Sequence, residues 1–190
     1  MSADPRPVVV LGASAGAVQV LLDLAPRLPA DGPPVVAVVH IPPDRDNVLP
    51  ELLASRCAVQ VKEAEDKERL RSGVLYLAPP DYHLLMEKDL SLSLSSDAPV
   101  NYSRPSIDVL FESAADAAGP ALTGVIFTGA NDDGARGLRA VCDAGGRAIV
   151  QDPANAYAAA MPEAALIACP EAEVLSLDAI LTLLSERPAP

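Results

Sequence analysis

The chain has 190 residues, half of them hydrophobic but only 3% aromatic, and a formal net charge of −12. Such a hydrophobic share excludes a disordered polymer, and the length is enough to bury an aliphatic core. The acidic balance excludes a nucleic-acid binder, whose phosphates need a basic face, and a protein held on an anionic membrane surface.

The first predicted strand is Val8–Leu11, followed by Gly12-Ala13-Ser14-Ala15-Gly16 and a helical pattern over Gly16–Leu28. The second strand, Val35–Val39, runs into His40-Ile41-Pro42-Pro43. A short helix over Leu49–Arg56 precedes strands Val59–Lys62 and Val74–Leu77, the latter ending in Pro79-Pro80-Asp81-Tyr82-His83. Between His83 and Ser96 the rhythm changes. Leu90, Leu92 and Leu94 alternate with serines, the period of a half-exposed strand, so a hairpin about Lys88-Asp89 is expected. Ile107, Leu110, Phe111, Ala114, Ala115 and Ala118 keep helical spacing. Strand Val125–Thr128 leads into Gly129-Ala130-Asn131-Asp132-Asp133-Gly134, then a helix over Gly134–Ala144, a strand over Arg147–Val150 and a last helix over Asp178–Ser185. Continuous aliphatic strands alternating with helices imply an α/β fold with a parallel sheet covered on both faces. One domain over residues 1–190 is expected, ordered from about 8 to 185, with frayed ends through Pro7 and from Arg187.

In such a sheet, chemistry collects beyond the carboxyl ends of the strands. The turn after the first strand invites two interpretations. A dinucleotide fingerprint needs G-x-G-x-x-G and an acid at the end of the second strand. Here the glycines are Gly12 and Gly16 only, and the second strand ends in His40. No Tyr-x-x-x-Lys and no Walker lysine is present, so a nucleotide-dependent oxidoreductase is disfavoured. The alternative is G-x-S-x-G between a strand and a helix, which lifts a serine hydroxyl above the sheet. Taken singly, Ser14 could cap a helix, His40 could be structural, and Asp132 or Asp133 could be an N-cap. Taken together at one sheet edge, they supply a nucleophile, a base that titrates near neutrality and an acceptor to orient that base. The order Ser, His, Asp differs from that of α/β-hydrolases and points to another scaffold.

Cys57, Cys142 and Cys169 are far apart in sequence and lack a C-x-x-C, which fits free buried thiols in a reducing compartment. With two separated histidines, neither a metal site nor a cofactor is expected. The start, MSADPRP, has no apolar region of a signal peptide, and no apolar run reaches the roughly 18 residues of a membrane span. A cytoplasmic protein is therefore expected.

Six motifs in order resemble the catalytic domain of the CheB-type protein-glutamate methylesterases, which act on chemotaxis receptors. They are Gly12 to Ala17, His40, Ala78-Pro79-Pro80-Asp81-Tyr82-His83, Arg104-Pro105-Ser106-Ile107-Asp108-Val109-Leu110-Phe111, Thr128-Gly129 to Asp133-Gly134-Ala135, and Gln151-Asp152 with the later Met161-Pro162. The resemblance, from about Val8 to Leu183, implies a doubly wound, three-layered α/β domain with a small antiparallel hairpin. It implies hydrolysis of glutamate γ-methyl esters on the helical cytoplasmic part of a methylated receptor, with release of methanol, and glutamine deamidation. It makes Ser14 the nucleophile, His40 the base and Asp133, not Asp132, the orienting acid. Backbone N–H groups near Ala15 and near Gly129-Ala130 are expected to hold the oxyanion, and Arg104 to border the cleft and meet acidic receptor residues. Ala17 replaces a usual second glycine, a mild change. Ala130 replaces a frequent methionine and is expected to reshape the cleft or loosen Ser14. No receiver domain precedes Val8 in this sequence, so either the sequence is a trimmed part of a longer protein or control by a separate regulatory protein is expected. A non-catalytic signalling module on the same fold is the competing expectation.

Overall fold

The computed structural model describes residues 7–41 and 48–186. Pro42, Pro43 and the chain ends expected to fray, apart from Pro7, lie outside the described residues. The elements in chain order are β1 (Val8–Ala13), α1 (Ala17–Leu24), β2 (Val35–Val39), α2 (Leu49–Ala54), β3 (Gln60–Glu63), β4 (Val74–Leu77), β5 (His83–Met86), β6 (Leu92–Ser95), α3 (Ile107–Ala118), β7 (Leu122–Ile126), α4 (Ala135–Asp143), β8 (Arg147–Gln151), α5 (Ala160–Ala168), β9 (Glu173–Leu175) and α6 (Leu177–Ser185). Short 3₁₀ turns follow α1, α3 and β8.

Among the described residues, seven strands form one parallel sheet in the order β3-β4-β2-β1-β7-β8-β9. The strands are apolar on both faces because both faces are covered. In β1, Val8 and Val10 pack toward α3, α4 and α5, while Val9 and Leu11 pack toward α1, α2 and α6. Each layer of helices thus has its own aliphatic core, which needs little aromatic bulk. Phe111 is fully buried on the first side and Phe127 on the second.

The predicted hairpin exists as β5 and β6, in antiparallel register from His83↔Ser95 to Met86↔Leu92. It forms its own two-stranded sheet rather than an extension of the main one. Leu84, Met86 and Leu92 join the core beside α3. Strand β7 runs three residues earlier and ends two residues earlier than its aliphatic run suggests, so Phe127 and Thr128 already belong to the loop.

The winding reverses between β1 and β7. Chain segments after β1 build the sheet outward through β2, and segments after β7 build it in the other direction. A doubly wound sheet leaves a crevice at such a reversal. The loops that enter it are the two that carry Ser14 and Asp133.

Candidate active site

Ser14 follows β1 directly. The parallel register pairs Ala13 with Val39, and the next ladder bond runs from the His40 N–H to the Ala13 carbonyl, 3.1 Å. Ser14 and His40 are therefore adjacent residues on neighbouring strands, as the sequence order of the strands suggests. On the other side, the Ser14 N–H donates to the Thr128 carbonyl at 2.9 Å, which ties the turn to the end of β7. Gly16, at φ 87°, sits in the left-handed region where a side chain is strained, and α1 begins at the next residue. Ala17 is the first residue of α1 and is buried, so its methyl group is accommodated where a second glycine is not required.

Asp133 comes from the other loop and meets His40 at Asp133 Oδ2–His40 Nε2, 2.9 Å. The carboxylate is fully buried and the imidazole is 15% exposed. Five hydrogen bonds hold it. Oδ1 accepts from Asn101 Nδ2, Ser106 Oγ and the Asp108 N–H, while Oδ2 accepts from His40 and the Ile107 N–H. Burial raises its carboxyl pKa, but the bonds from His40, Ile107, Asn101 and Ser106 outweigh that cost and hold it below the usual range. Asp133 is thus a buried anion. Asp132 is exposed, and His40 meets its neighbour instead.

The backbone explains why this loop and α3 meet so closely. Asp133 accepts from the first two N–H groups of α3, and Asp108, on α3, accepts from the Gly134 and Gly137 N–H groups at the start of α4. Each aspartate satisfies the orphan amides of the other's helix. Gly134 has φ 96°, and a Cβ there would meet Ile126 at 2.7 Å and Ile107 at 2.8 Å. Sequence reasoning noted Ser106 and Asp108 only as motif positions and did not single out Asn101. Polar residues inside an otherwise apolar helix start were the available signal.

Thr128 performs a second bracing role. Its Oγ1 donates to the Ala15 carbonyl at 2.8 Å and accepts from the Ala158 N–H at 2.9 Å. Its own N–H donates to Gln151 Oε1. The second histidine, His83, is buried. Its Nε2 bonds the Ala98 carbonyl and its Nδ1 accepts from the Ser106 N–H, so it supports the α3 entry.

Two of the expected cleft contributions differ. The Gly129 N–H is engaged by the Ala158 carbonyl at 3.1 Å, and Met161 lies against Gly129 where a Cβ would fall. The N–H groups of Ala15 and Ala130 have no acceptor among the described residues. Arg104 does border the cleft, but its guanidinium donates to Asp81 Oδ1 and to the Ser96 and Asp97 carbonyls. It braces the loops internally and has little capacity left for a partner's acids.

His40, Pro80, Tyr102 and Arg104 help line an open cleft of about 290 Å³. Tyr102 is fully exposed, and Tyr157, packed over Gly16, is 84% exposed. A larger cavity of about 380 Å³ opens among Val8, Leu28, Val35 and Val74, at the amino ends of the strands and away from this site. Elsewhere, Cys142, Cys169 and Glu171 bring ligand atoms within 4.8 Å of one another. Arg139 is bonded to Glu171, so a cation there would have to displace an arginine. Among the described residues, no helix is long and apolar enough to cross a membrane.

The family model for CheB methylesterase matches residues 9–184. A protein of Leptospira interrogans named putative protein-glutamate methylesterase/protein-glutamine glutaminase is 47% identical over 176 residues, spanning 92% of this chain and 91% of the relative. A Cupriavidus metallidurans protein-glutamate methylesterase/protein-glutamine glutaminase is 40% identical over 90% of this chain but only 48% of its own length. This chain therefore spans about half of that relative. The crystal structure of the Thermotoga maritima CheB methylesterase catalytic domain superposes with a TM-score of 0.89 at 31% identity, over 95% of this chain and 97% of that one. With the motifs, the sheet order and the relatives in agreement over most of its length, the chain belongs to the CheB methylesterase family.

Proposed function

We propose that this chain is a serine esterase that hydrolyses glutamate γ-methyl esters on a methylated receptor protein and releases methanol, acting in the cytoplasm through Ser14, His40 and Asp133. The observation that carries the proposal is the hydrogen bond between His40, which follows the strand adjoining that of Ser14, and the buried, ionised Asp133.

The chemistry follows from the protons. A serine hydroxyl attacks an ester only if its proton is removed as the Oγ–C bond forms. His40 takes that proton, and Asp133 stabilises the resulting imidazolium without itself becoming protonated. The carbonyl π pair moves onto oxygen, and the N–H groups of Ala15 and Ala130, which lack an acceptor among the described residues, donate to it. The intermediate collapses, the C–OCH₃ bond breaks, and His40 returns the proton to the leaving methoxide as methanol. Water, deprotonated by His40, then attacks the glutamyl ester of Ser14, releasing glutamate and restoring the hydroxyl. With a glutamine side chain the same acyl-enzyme forms with ammonia as leaving group, in line with the glutaminase names of the relatives. The exposed Tyr102 and the open shape of the cleft suit a protein side chain offered from a surface better than an enclosed small molecule.

The test is methanol release from a methylated cytoplasmic fragment of a chemoreceptor. Wild-type protein is expected to release methanol, and Ser14→Ala to lose at least about 10³-fold in kcat. No release from wild type, or an unchanged rate in the variant, overturns the proposal and favours a non-catalytic module.

A further inference from the structure

Asn131 lies between the Gly129-Ala130 turn and Asp133, and both ends of its side chain are engaged. Its Oδ1 accepts from the Asp133 N–H at 3.1 Å. A backbone N–H can only donate, so this bond settles which end of the amide is oxygen. The NH₂ end then faces His40 Nδ1, 3.3 Å away. An amide NH₂ also only donates, so Nδ1 must be the acceptor. The proton of the neutral ring therefore sits on Nε2 and is donated to Asp133 Oδ2 at 2.9 Å. The network closes with every donor facing an acceptor. Meanwhile the Ser14 hydroxyl makes no hydrogen bond among the described residues.

We propose that Asn131 is a positioning residue for the reaction: it holds His40 in the Nε2–H tautomer and occupies, in the resting enzyme, the Nδ1 lone pair that Ser14 needs. As ester enters, the Asn131 N–H···Nδ1 bond breaks and the Ser14 Oγ–H proton passes to Nδ1 as the Oγ–C bond forms. The imidazolium so produced carries a proton on both nitrogens, and a donor amide opposite Nδ1 would then face another donor. Asn131 therefore favours the neutral ring at rest and must turn aside during turnover. The kinetic part of this proposal rests on the esterase reading above; the tautomer does not.

The experiment uses protein labelled with ¹⁵N-histidine. The chain has two histidines, and His83, with its own Ala98 and Ser106 partners, is an internal reference. In spectra of the neutral ring, wild type is expected to show a protonated Nε2 and a hydrogen-bonded, unprotonated Nδ1. In Asn131→Ala the Nδ1 resonance is expected to move toward that of an unbonded imidazole nitrogen, with Nε2 and both His83 signals unchanged. Asn131→Asp keeps an oxygen for the Asp133 N–H but presents an acceptor to Nδ1, and is expected to bring a proton onto that nitrogen.

Turnover of p-nitrophenyl acetate supplies the second readout. Asn131→Ala is expected to change kcat by about three- to tenfold with KM nearly constant. Its acid limb is expected to move to higher pH, because the bond that favoured the neutral ring is gone. Asp133, Asp81, Arg104 and Tyr102, the other charged or titratable groups that contact His40 or line its cleft, are the same in all variants. A wild-type Nδ1–H tautomer, or an Nδ1 signal identical in wild type and Asn131→Ala, overturns the proposal. Absence of all esterase activity defeats the functional reading, and the nitrogen spectra still decide the tautomer.

Discussion

Asp133 concentrates more of the site's energetics than any other residue around the crevice. Its carboxylate is buried, receives five hydrogen bonds and serves both as partner of His40 and as cap of α3. Asp133→Asn keeps the shape but replaces one acceptor oxygen with an NH₂ group, which must face a donor. Activity is expected to fall by about 10⁴-fold, the size of effect known for the orienting aspartate of a serine protease triad, and stability by about 1–3 kcal/mol. The sign with pH is definite. A carboxyl held below its ordinary range in the fold contributes stability above its unfolded value, near about 4, and loses it as pH falls through the folded value. The urea midpoint of wild type should therefore drop on acidification below about pH 4, and that of Asp133→Asn should be flatter over the same window. Equal slopes for the two proteins would contradict this account. At the same scale, Arg104 shows how far a residue's type falls short of its role. A cleft arginine suggests a docking cation, yet its donors are taken by Asp81 and two carbonyls.

Helices α3 and α4 form a mutually capped pair, and that pairing locates Asp133. Asp108 accepts from Gly134, Gly137, Asn101 and Arg136, and Asp133 answers from the start of α4 to α3. Asp108→Ala leaves two buried N–H groups without an acceptor. It is expected to cost about 2–3 kcal/mol, or about 5–10 °C in Tm for a chain of this size. Asp108→Asn, which keeps one oxygen for the two glycine amides, is expected to cost less. Thermal unfolding of the three proteins checks this, and a Tm within about 2 °C of wild type for Asp108→Ala would contradict it. Helix α5 and strand β9 are the elements that patterning missed. Helix α5, AMPEAALIA, is alanine-rich, with Met161 and Ala165 buried while Ile167 is 82% exposed, so no apolar stripe announces it. Strand β9 is a three-residue edge strand held to β8 by the Arg147–Glu173 pair, Nε–Oε1 2.7 Å. Neither a short edge nor a helix without a contrasting face leaves a periodic signal.

Across the whole molecule, two properties bear on turnover and on chemistry away from the site. The proposed product carries one more negative charge than the ester, and a protein of net charge −12 repels it, which favours release. One of the thiols is unreactive by placement, Cys169 being buried while Cys57 and Cys142 are half-buried. Cys169 is fully buried, and burial, followed by a hydrogen bond with Cys142, pushes its pKa up to about 12. Burial raises that of Cys57 as well. Native protein treated with iodoacetamide at pH 8 should therefore leave Cys169 unlabelled, while protein in guanidinium labels at all three cysteines. Rapid labelling of Cys169 in the native protein would refute this.

Composition and periodicity determined the fold class, because a strand covered on both faces must be apolar throughout and a helix on that sheet must be apolar at its own spacing. They also placed Ser14 and His40 at one edge, since consecutive parallel strands are neighbours and the residues just beyond their carboxyl ends emerge on the same side. From the residues alone, Asp132 and Asp133 were equivalent, and the family resemblance was needed to choose between them. In three dimensions His40 meets Asp133 across 93 positions of chain, Asn101 meets Asp133 across 32, and the two distant cysteines Cys142 and Cys169 lie together. Such contacts follow from how α3 and α4 dock beside the reversal of the sheet. Local patterns encode which face of an element is buried. Which polar atoms then meet inside is decided by packing, where each buried donor must find an acceptor and only the assembled fold determines which one is within reach.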